Sequence, residues 1–268
     1  MKSGISGSGR KELTAVTARG RRLVTVEDVA ARLDLAPREA AKKLARWAEQ
    51  GWLRRVRRGL YIPVPLDVEH PELWSEDPLV LADAVWSPCY FTGWTAANHW
   101  GLTEQVFRTI VVKTSKRVRT ADQVLLDQDY LVGHVPEGVM EWGLRRVWRD
   151  ERRVQLADEA RTVIDVLDAP SIGGGIRHVA EILDAYVTDF DWRPLIEYGD
   201  LLGNRAVFKR LGYLAELLEL GDQELLAACK RRLSSGVSLL DPSAPDRGPR
   251  VTPWGLRANV RIEESGSS

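Results

Sequence analysis

Hydrophobic residues recur at helical spacing through the first fifty positions of the chain. The pattern predicts one helix over residues 10–18, ended by Gly20, and a second helix that begins at Thr25. Thr25 is a favoured N-cap, and Asp28 three residues later resembles half of a capping box. The second helix stops at residues 34–36. Pro37 then opens a third helix that runs to Gln50, with Gly51 as its C-terminal cap.

Two short strands are predicted directly after the third helix, over residues 52–56 and 60–63. The turn between them contains Arg57, Arg58 and Gly59, and the glycine can take the positive φ that a tight hairpin requires. A helix, a short turn, a second helix and a basic hairpin follow one another in winged helix-turn-helix domains. We therefore predict such a domain over residues 13–66.

Beyond residue 78 the pattern predicts a larger mixed α/β domain, with its strands early and its helices late. Two early helices, 79–87 and 93–100, accompany strands near 89–91, 106–113, 123–126, 130–135, 143–148 and 153–156. The later helices are predicted at 157–168, 176–188, 193–203, 205–219 and 222–233. A long loop over 234–250 precedes a final strand at 251–262. The fold class expected for the whole chain is α+β.

The boundaries of these regions follow from composition. Residues 1–12 and 263–268 are expected to be disordered tails, since the first nine residues are rich in glycine and serine. Residues 67–78 form a proline-rich, acidic linker, and residues 79–262 form the second domain. No long apolar run predicts a membrane-spanning helix, and the N-terminus lacks the apolar core of a signal peptide.

Charge is distributed unevenly along a chain whose formal net charge is zero. Residues 1–62 contain 15 basic and 6 acidic residues, a net charge of +9, and the remainder has 23 basic and 32 acidic residues, a net charge of −9. Such asymmetry between segments is typical of proteins in which one segment binds a polyanion. Together with the predicted winged domain, it indicates double-stranded DNA as the partner.

The candidate DNA-binding residues lie on the third helix and in the hairpin. Arg38, Lys42 and Arg46 are four residues apart, so each is rotated by only about 40° from the previous one and the three form one ridge. A basic ridge on the second helix of a helix-turn-helix can contact bases or phosphates in the major groove. The hairpin residues would meet phosphate or the minor groove. The complete predicted set is Arg38, Lys42, Lys43, Arg46, Arg54, Arg55, Arg57 and Arg58.

A second basic run occurs in the larger domain and has three open interpretations. Its first part spans residues 113–119 and its second part spans residues 145–153. It could contact DNA, form a partner surface, or be ordinary solvated surface.

The sequence contains only weak indications of an enzyme. We predict no catalytic activity, no metal site and no cofactor. The glycine run 173–175 lacks the following Lys and Ser/Thr of a phosphate loop, so we expect a turn there. Asp189 and Asp191 resemble a metal-binding pair, but Asp191 also has the position of a helix N-cap. The four histidines are scattered without a ligand spacing. Cys89 and Cys229 lie in apolar or helical stretches and suit buried thiols in a reducing cytoplasm.

Four segments resemble the AbiEi-type antitoxins of type IV toxin–antitoxin, or phage abortive infection, operons. They are GWLRRVRRGLY at 51–61, YFTGWTAANHWGLTEQ at 90–105, ARTVIDVLDAP at 160–170 with the following glycine run, and NRAVFKRLGYL at 204–214. The resemblance spans about residues 23–220. Thr95, Ala97 and Trp100 depart from the family pattern in a block that we expect to pack the domain rather than to react.

The resemblance implies a non-enzymatic protein with two roles. The N-terminal domain would bind inverted repeats in its own promoter and repress the operon, as a dimer or by cooperative binding. The C-terminal domain would counteract a nucleotidyltransferase toxin encoded alongside. Two other functions stay open at this point. One is a winged-helix regulator whose second domain senses a small ligand, and the other is a nuclease or nucleotidyltransferase with a DNA-binding arm.

Overall fold

A computed structural model describes residues 7–17, 23–65, 76–149 and 152–262 of the chain. Its contacts divide the chain into two compact units. The first comprises Met1–Ser87 and Asp122–Tyr130, and the second comprises Pro88–Ala121 and Leu131–Ser268.

The first unit contains the elements of a winged helix-turn-helix domain. Its helices are α1 (Gly7–Thr17), α2 (Val26–Leu33), α3 (Pro37–Glu49) and α4 (Pro78–Trp86), and its strands are β1 (Val24–Thr25), β2 (Leu53–Arg57) and β3 (Leu60–Pro63). The strands form an antiparallel sheet in the order β1-β3-β2. One apolar cluster joins α1, α2 and α3 to this sheet, and it includes Leu44, Trp47, Leu53 and Tyr61.

Two features of this unit differ from the sequence prediction. Residues 7–12, expected to belong to a disordered tail, form the first half of α1, which buries Val16 in the shared core. Strand β1 was not predicted, because two residues are too few to produce an alternating pattern; its register is Val24 opposite Tyr61 and Thr25 opposite Leu60. Most of the predicted linker, the end of the first helix beyond Thr17, Gly20 and the tail 263–268 lie outside the described residues.

Helix α4 and the hairpin residues 122–130 also group with the first unit, although we predicted them within the second domain. Asp77 caps α4, since its carboxylate accepts hydrogen bonds from the N–H groups of Leu79 and Val80 at 2.8 and 3.0 Å. The Tyr130 hydroxyl donates to the Pro78 carbonyl at 2.9 Å, and its ring packs edge-on against Trp86. These long-range contacts cannot be read from local spacing.

Six strands form the largest sheet among the described residues. They are β4 (Cys89–Phe91), β5 (Ile110–Thr114), β6 (Asp122–Leu125), β7 (Gln128–His134), β8 (Leu144–Arg149) and β9 (Arg152–Ala157). They follow the sheet order β6-β7-β5-β4-β9-β8. Strand β4 runs antiparallel to β5 and parallel to β9. The predicted strand 106–113 is shorter and later in the structure, because residues 103–109 form an irregular segment.

Helices dominate the second half of the chain, which confirms the predicted α+β class with late helices. After the early helix α5 (Gly93–His99), they are α6 (Glu159–Asp168), α7 (Ile176–Asp189), α8 (Arg193–Leu202), α9 (Ala206–Leu217) and α10 (Gln223–Lys230). Helix α6 is buried along nearly its whole length, so it forms the centre of the main core. Among the described residues, no helix combines the length and apolar character needed to cross a membrane.

The predicted final strand over residues 251–262 is wrong. Only β11 (Arg250–Val251) and β12 (Leu256–Arg257) are strands there; they pair with each other, and β12 also pairs with β10 (Ser238–Leu239). A 3-10 turn over Thr252–Trp254 separates them, and Gly255 leaves it with a φ of 59°. The proline and the glycine break the strand, which lets the buried Trp254 ring pack against Gly212.

Candidate nucleic-acid interface

The start of α2 is held by the capping box that the sequence suggested. The Thr25 hydroxyl accepts a hydrogen bond from the Asp28 N–H at 3.2 Å, and the Asp28 carboxylate accepts one from the Thr25 N–H at 3.1 Å. Asp34 ends the helix in the left-handed conformation, with a φ of 52°. The turn between α2 and α3 is therefore short and well defined, as a helix-turn-helix requires.

Helix α3 has an equally definite beginning and end. Pro37 occupies the first turn, where its missing N–H is not needed. At the other end Gly51 has a φ of 76°, its N–H donates to the Ala48 carbonyl, and the Trp52 N–H donates to the Trp47 carbonyl at 2.9 Å. This pair of bonds is a Schellman motif, and it turns the chain from α3 directly into the wing.

The basic ridge predicted on α3 is exposed to solvent. Arg38, Lys42 and Arg46 all lie on the exposed side of the helix, whereas Ala40, Leu44 and Trp47 are buried. The exposed side also includes Glu39 and Glu49, so it contains both signs of charge with the positive charges in excess. An exposed cationic helix face of this kind can enter the major groove of DNA.

Lys43 was predicted as a fourth contact on this helix, but it is turned away from the ridge. Its Nζ lies 2.6 Å from a Glu12 carboxylate oxygen and 5.6 Å from the centre of the Trp47 ring. Only 28% of its side chain is exposed. Lys43 therefore links α3 to α1. Its partner cannot be predicted from helical periodicity, because Lys43 is next to the ridge on the helix and Glu12 lies on another element.

The wing is a hairpin with a bulge. Arg55 lies opposite Tyr61 and Arg57 lies opposite Leu60, so Val56 is the extra residue on β2. The bulge explains why Leu53 and Val56, three positions apart, are both buried while Arg55 and Arg57 are exposed. Arg58 is exposed in the turn, and Gly59 closes it with a φ of 77°. Three predicted wing contacts are thus accessible to a phosphate backbone.

Arg54, the fourth predicted wing contact, is in a different environment. Its guanidinium lies 3.6 Å from the carboxylate of Asp127, at the tip of the β6–β7 hairpin, and its side chain is 22% exposed. Leu126 and Asp127 form this tip with positive φ angles of 49° and 67°, as in a tight two-residue turn. Asp127 is almost fully exposed, so the ion pair is a weak one.

The second basic run does not form a single patch. Its first part lies on β5 and the loop that follows, and its second part lies on β8 and β9. Strands β4 and β9 separate β5 from β8 in the sheet, a distance of about 14 Å at the usual strand spacing. Arg145 pairs with Glu159 at 2.9 Å, and an Arg149 nitrogen lies 3.3 Å from His99 Nδ1.

Two residues among the features considered for an enzyme, Asp191 and His178, have structural roles. The Asp191 carboxylate accepts the Arg193 N–H at 3.0 Å at the start of α8, and this hydrogen bond lowers the pKa of Asp191. His178 is buried, with Nδ1 at 2.6 Å from the Gly173 carbonyl and Nε2 at 2.7 Å from the Thr103 hydroxyl. Within the described ranges, no group of three or more His, Cys, Asp or Glu residues could hold a metal ion.

Two of the family-like segments meet in a buried polar network. The Arg161 guanidinium donates to Asp165 at 2.7 Å and to the Tyr90 hydroxyl at 3.0 Å. Asp165 also accepts from Tyr90 at 3.1 Å and from Thr92 at 2.8 Å. Burial and the neighbouring Asp165 carboxylate keep the pKa of Tyr90 well above its ordinary value, so the phenol remains a donor.

The other segments also serve packing. In the segment 204–214, Arg210 is buried and donates to the carbonyls of Leu167, at 2.7 Å, and Leu240, at 3.1 Å.

In the block 90–105, two of the residues that depart from the family pattern have hydrogen-bond partners. Thr95 accepts the Val111 N–H at 2.9 Å, and the Trp100 indole donates to the Ala157 carbonyl at 2.7 Å. This block therefore holds the domain together, as expected from the sequence.

A model of a known protein family matches part of the first unit. Residues 11–64 match the model of a family described as "Transcriptional regulator, AbiEi antitoxin". The match confirms the predicted family resemblance for the segment that contains α2, α3 and the wing. The model covers less than half of the chain, so the resemblance of the later segments stays a prediction. No curated protein matches the sequence.

One solved structure has a similar fold over nearly the whole chain. It is the crystal structure of RV2827C protein from Mycobacterium tuberculosis, with a TM-score of 0.60. The match covers 95% of this chain and 92% of that chain, at 17% sequence identity. At this identity the similarity demonstrates a shared fold and nothing about shared function.

Proposed function

We propose that the chain is a DNA-binding antitoxin whose winged module binds double-stranded DNA. In this proposal α3 enters the major groove with Arg38, Lys42 and Arg46, while Arg55, Arg57 and Arg58 contact the flanking backbone. One observation carries the proposal: the ridge is exposed on the second helix of a helix-turn-helix, within a segment that matches a family of transcriptional regulators. Lys43 and Arg54 are left out, since the side chains of both are largely covered, at 28% and 22% exposure, and each lies beside a carboxylate.

The finer part of the proposal concerns the target and the partner. The protein would repress its own operon by binding inverted repeats in the promoter, and it would counteract a nucleotidyltransferase toxin from the same operon in the cytoplasm. The family description supports both the regulatory and the antitoxin roles. An inverted repeat presents two half-sites, so two copies of the module must bind, either as a dimer or cooperatively.

A titration of labelled promoter DNA tests the DNA-binding part. Replacement of Arg38 or Lys42 by alanine should weaken binding by about 5- to 150-fold if the residue contacts a base, equivalent to about 1–3 kcal/mol. Arg250, an exposed arginine of the second unit, offers a control at which alanine should leave the affinity unchanged. Equal affinities for the Arg38 variant, the Lys42 variant and the unmodified protein would exclude α3 as the reading helix.

Co-expression tests the antitoxin part separately. Growth arrest caused by the neighbouring gene should be relieved by the full chain, and also by the Arg38→Ala variant if neutralisation does not require promoter binding. No relief by the full chain would contradict the antitoxin role and leave the DNA-binding part intact.

The alternative of a ligand-sensing regulator receives no support from the groove beside α7. An open groove of about 680 Å³ runs along the outer side of α7. Charged side chains account for much of its lining: Arg177, Glu181, Asp184 and Asp189. Small-molecule sites are usually more enclosed and predominantly apolar.

A further inference from the structure

Strand β8 is the last strand of the sheet on one side. It pairs over six residues with β9, from Leu144 opposite Ala157 to Arg149 opposite Arg152. Among the described elements, β9 is also the only one with which β8 makes extensive contact. The outer edge of a terminal strand presents backbone N–H and C=O groups from alternate residues, which another extended chain can pair with.

An exposed tryptophan lies near the end of this edge strand. The Trp148 side chain is 61% exposed, and the Arg153 guanidinium on β9 stacks over its ring at 4.5 Å. Arg146 and Trp148 are two positions apart on β8, and Arg153 is directly opposite Trp148, so the three share one face of the hairpin. Arg146 and Arg153 are both exposed.

The charge of this hairpin is strongly positive. The described parts of the hairpin, β8 and β9, contain five arginines and no acidic residue. Arg145 is committed to Glu159, whereas Arg146 and Arg153 lie on the Trp148 face. Asp150 and Glu151 lie in the connection between the strands, outside the described residues.

Protection of the edge against aggregation does not explain this composition. Proteins protect edge strands with charged residues, and arginines alone would serve that purpose. A large aromatic side chain exposed among them has the opposite effect. Tryptophan and arginine are instead the residues most enriched at the energetic centres of protein interfaces.

We propose that the β8 edge is a docking surface for an extended, acidic segment of a partner protein. The segment would add to the sheet as a further strand, and its backbone would pair with β8. On the face that it shares with Trp148, one apolar side chain would pack on Trp148 and neighbouring carboxylates would pair with Arg146 and Arg153. A protein strand fits this surface better than a nucleic acid, because only a polypeptide satisfies the backbone groups of the edge and one face of Trp148 is already covered by Arg153. This site is separate from the winged module and goes beyond the proposed DNA binding.

A displayed library of random ten-residue peptides, selected against the full-length chain, tests the proposal. Selected peptides should have both acidic residues and an apolar residue among the positions of one face, that is, at every second position. They should bind at least about tenfold more weakly to the Trp148→Ala variant. Leu201→Ala is the matched control, since Leu201 is 58% exposed elsewhere in the same unit and its replacement should leave binding unchanged. Methylation of alternate backbone nitrogens of a selected peptide should abolish binding in one register and spare it in the other.

Three outcomes would overturn the proposal. The first is the absence of any enriched acidic peptide. The second is enrichment of peptides that bind the Trp148→Ala and Arg146→Glu/Arg153→Glu variants as tightly as the unmodified chain. The third is a labelled single-stranded oligonucleotide that binds the chain, loses affinity with Trp148→Ala and competes with the selected peptides, which would assign the surface to nucleic acid.

Discussion

Lys42 and Lys43 are neighbours on α3 with the same charge, and the structure predicts opposite consequences for their removal. Lys42 is exposed on the proposed DNA-reading ridge, whereas Lys43 pairs with Glu12 at 2.6 Å and packs over Trp47. Alanine at either position lowers the charge of the winged module by one. The long-range attraction to DNA therefore falls equally, and any difference between the two variants reports direct contact.

The expected size of that difference follows from counterion release. Six exposed cations, three on α3 and three in the wing, would give a slope of log K against log salt of about −5 if all six met phosphates. Loss of one contact reduces the slope by about 0.9, which changes the affinity ratio between 50 and 200 mM salt by about 3.5-fold. Lys42→Ala should show this reduction if Lys42 binds phosphate, or a loss of about 1–3 kcal/mol in binding free energy if it binds a base.

Lys43→Ala should leave the slope unchanged. Its main effect should be on stability, because a partly exposed ion pair contributes about 0.2–1 kcal/mol to the free energy of unfolding. Fluorescence anisotropy with a labelled promoter duplex at four salt concentrations measures the slopes, and urea unfolding of the same samples measures stability. If Lys43→Ala reduced the slope as much as Lys42→Ala does, the division of α3 into a reading ridge and a packing side would be wrong.

Three further predictions concern stability. Gly51→Ala should lower the free energy of unfolding by about 1–2 kcal/mol, because position 51 has a φ of 76°, which is unfavourable for alanine. Gly138→Ala is the control, since a Cβ at position 138 meets nothing within 4 Å. Equal effects of the two substitutions would argue against Gly51 as a helix cap. Arg161→Met should lower the free energy of unfolding by about 3–5 kcal/mol, because it leaves the buried Asp165 carboxylate without a counter-charge. The double variant Arg161→Met/Asp165→Leu should recover part of this loss in urea unfolding. No recovery would argue against the ion pair as the cause. Burial and the Asp158 hydrogen bond raise the pKa of Tyr198 to about 12, above its unfolded value near 10, so its contribution to stability is complete below pH 10 and lost as pH rises towards 12. Tyr198→Phe should flatten that part of the stability curve, and an unchanged curve would contradict the assignment.

Local sequence signals were sufficient to predict helix boundaries wherever the groups that cap a helix lie close to its end in the sequence. The Thr25–Asp28 capping box, Pro37 at the start of α3 and Gly51 after its end each concern backbone groups within four residues, so the boundaries of α2 and α3 could be predicted. The exposed ridge followed from helical periodicity alone. The prediction failed at residues 251–262, where we expected one strand and the structure has a 3-10 turn between two short strands.

Periodicity, capping and charge are local properties of the sequence, and they were enough to predict the elements of the winged module, its excess of positive charge and the side of α3 that meets solvent. Which of its cations are exposed to a partner depends on the packing of the folded chain. Lys43 and Arg54 look equivalent to their neighbours along the chain, yet each lies beside a carboxylate, Glu12 or Asp127, that is 31 or 73 positions away. Likewise Trp148 is one more apolar strand residue in the sequence, and only the sheet order shows that its strand is an edge. Contacts between residues so distant in sequence depend on the packing of whole elements, which no local pattern records.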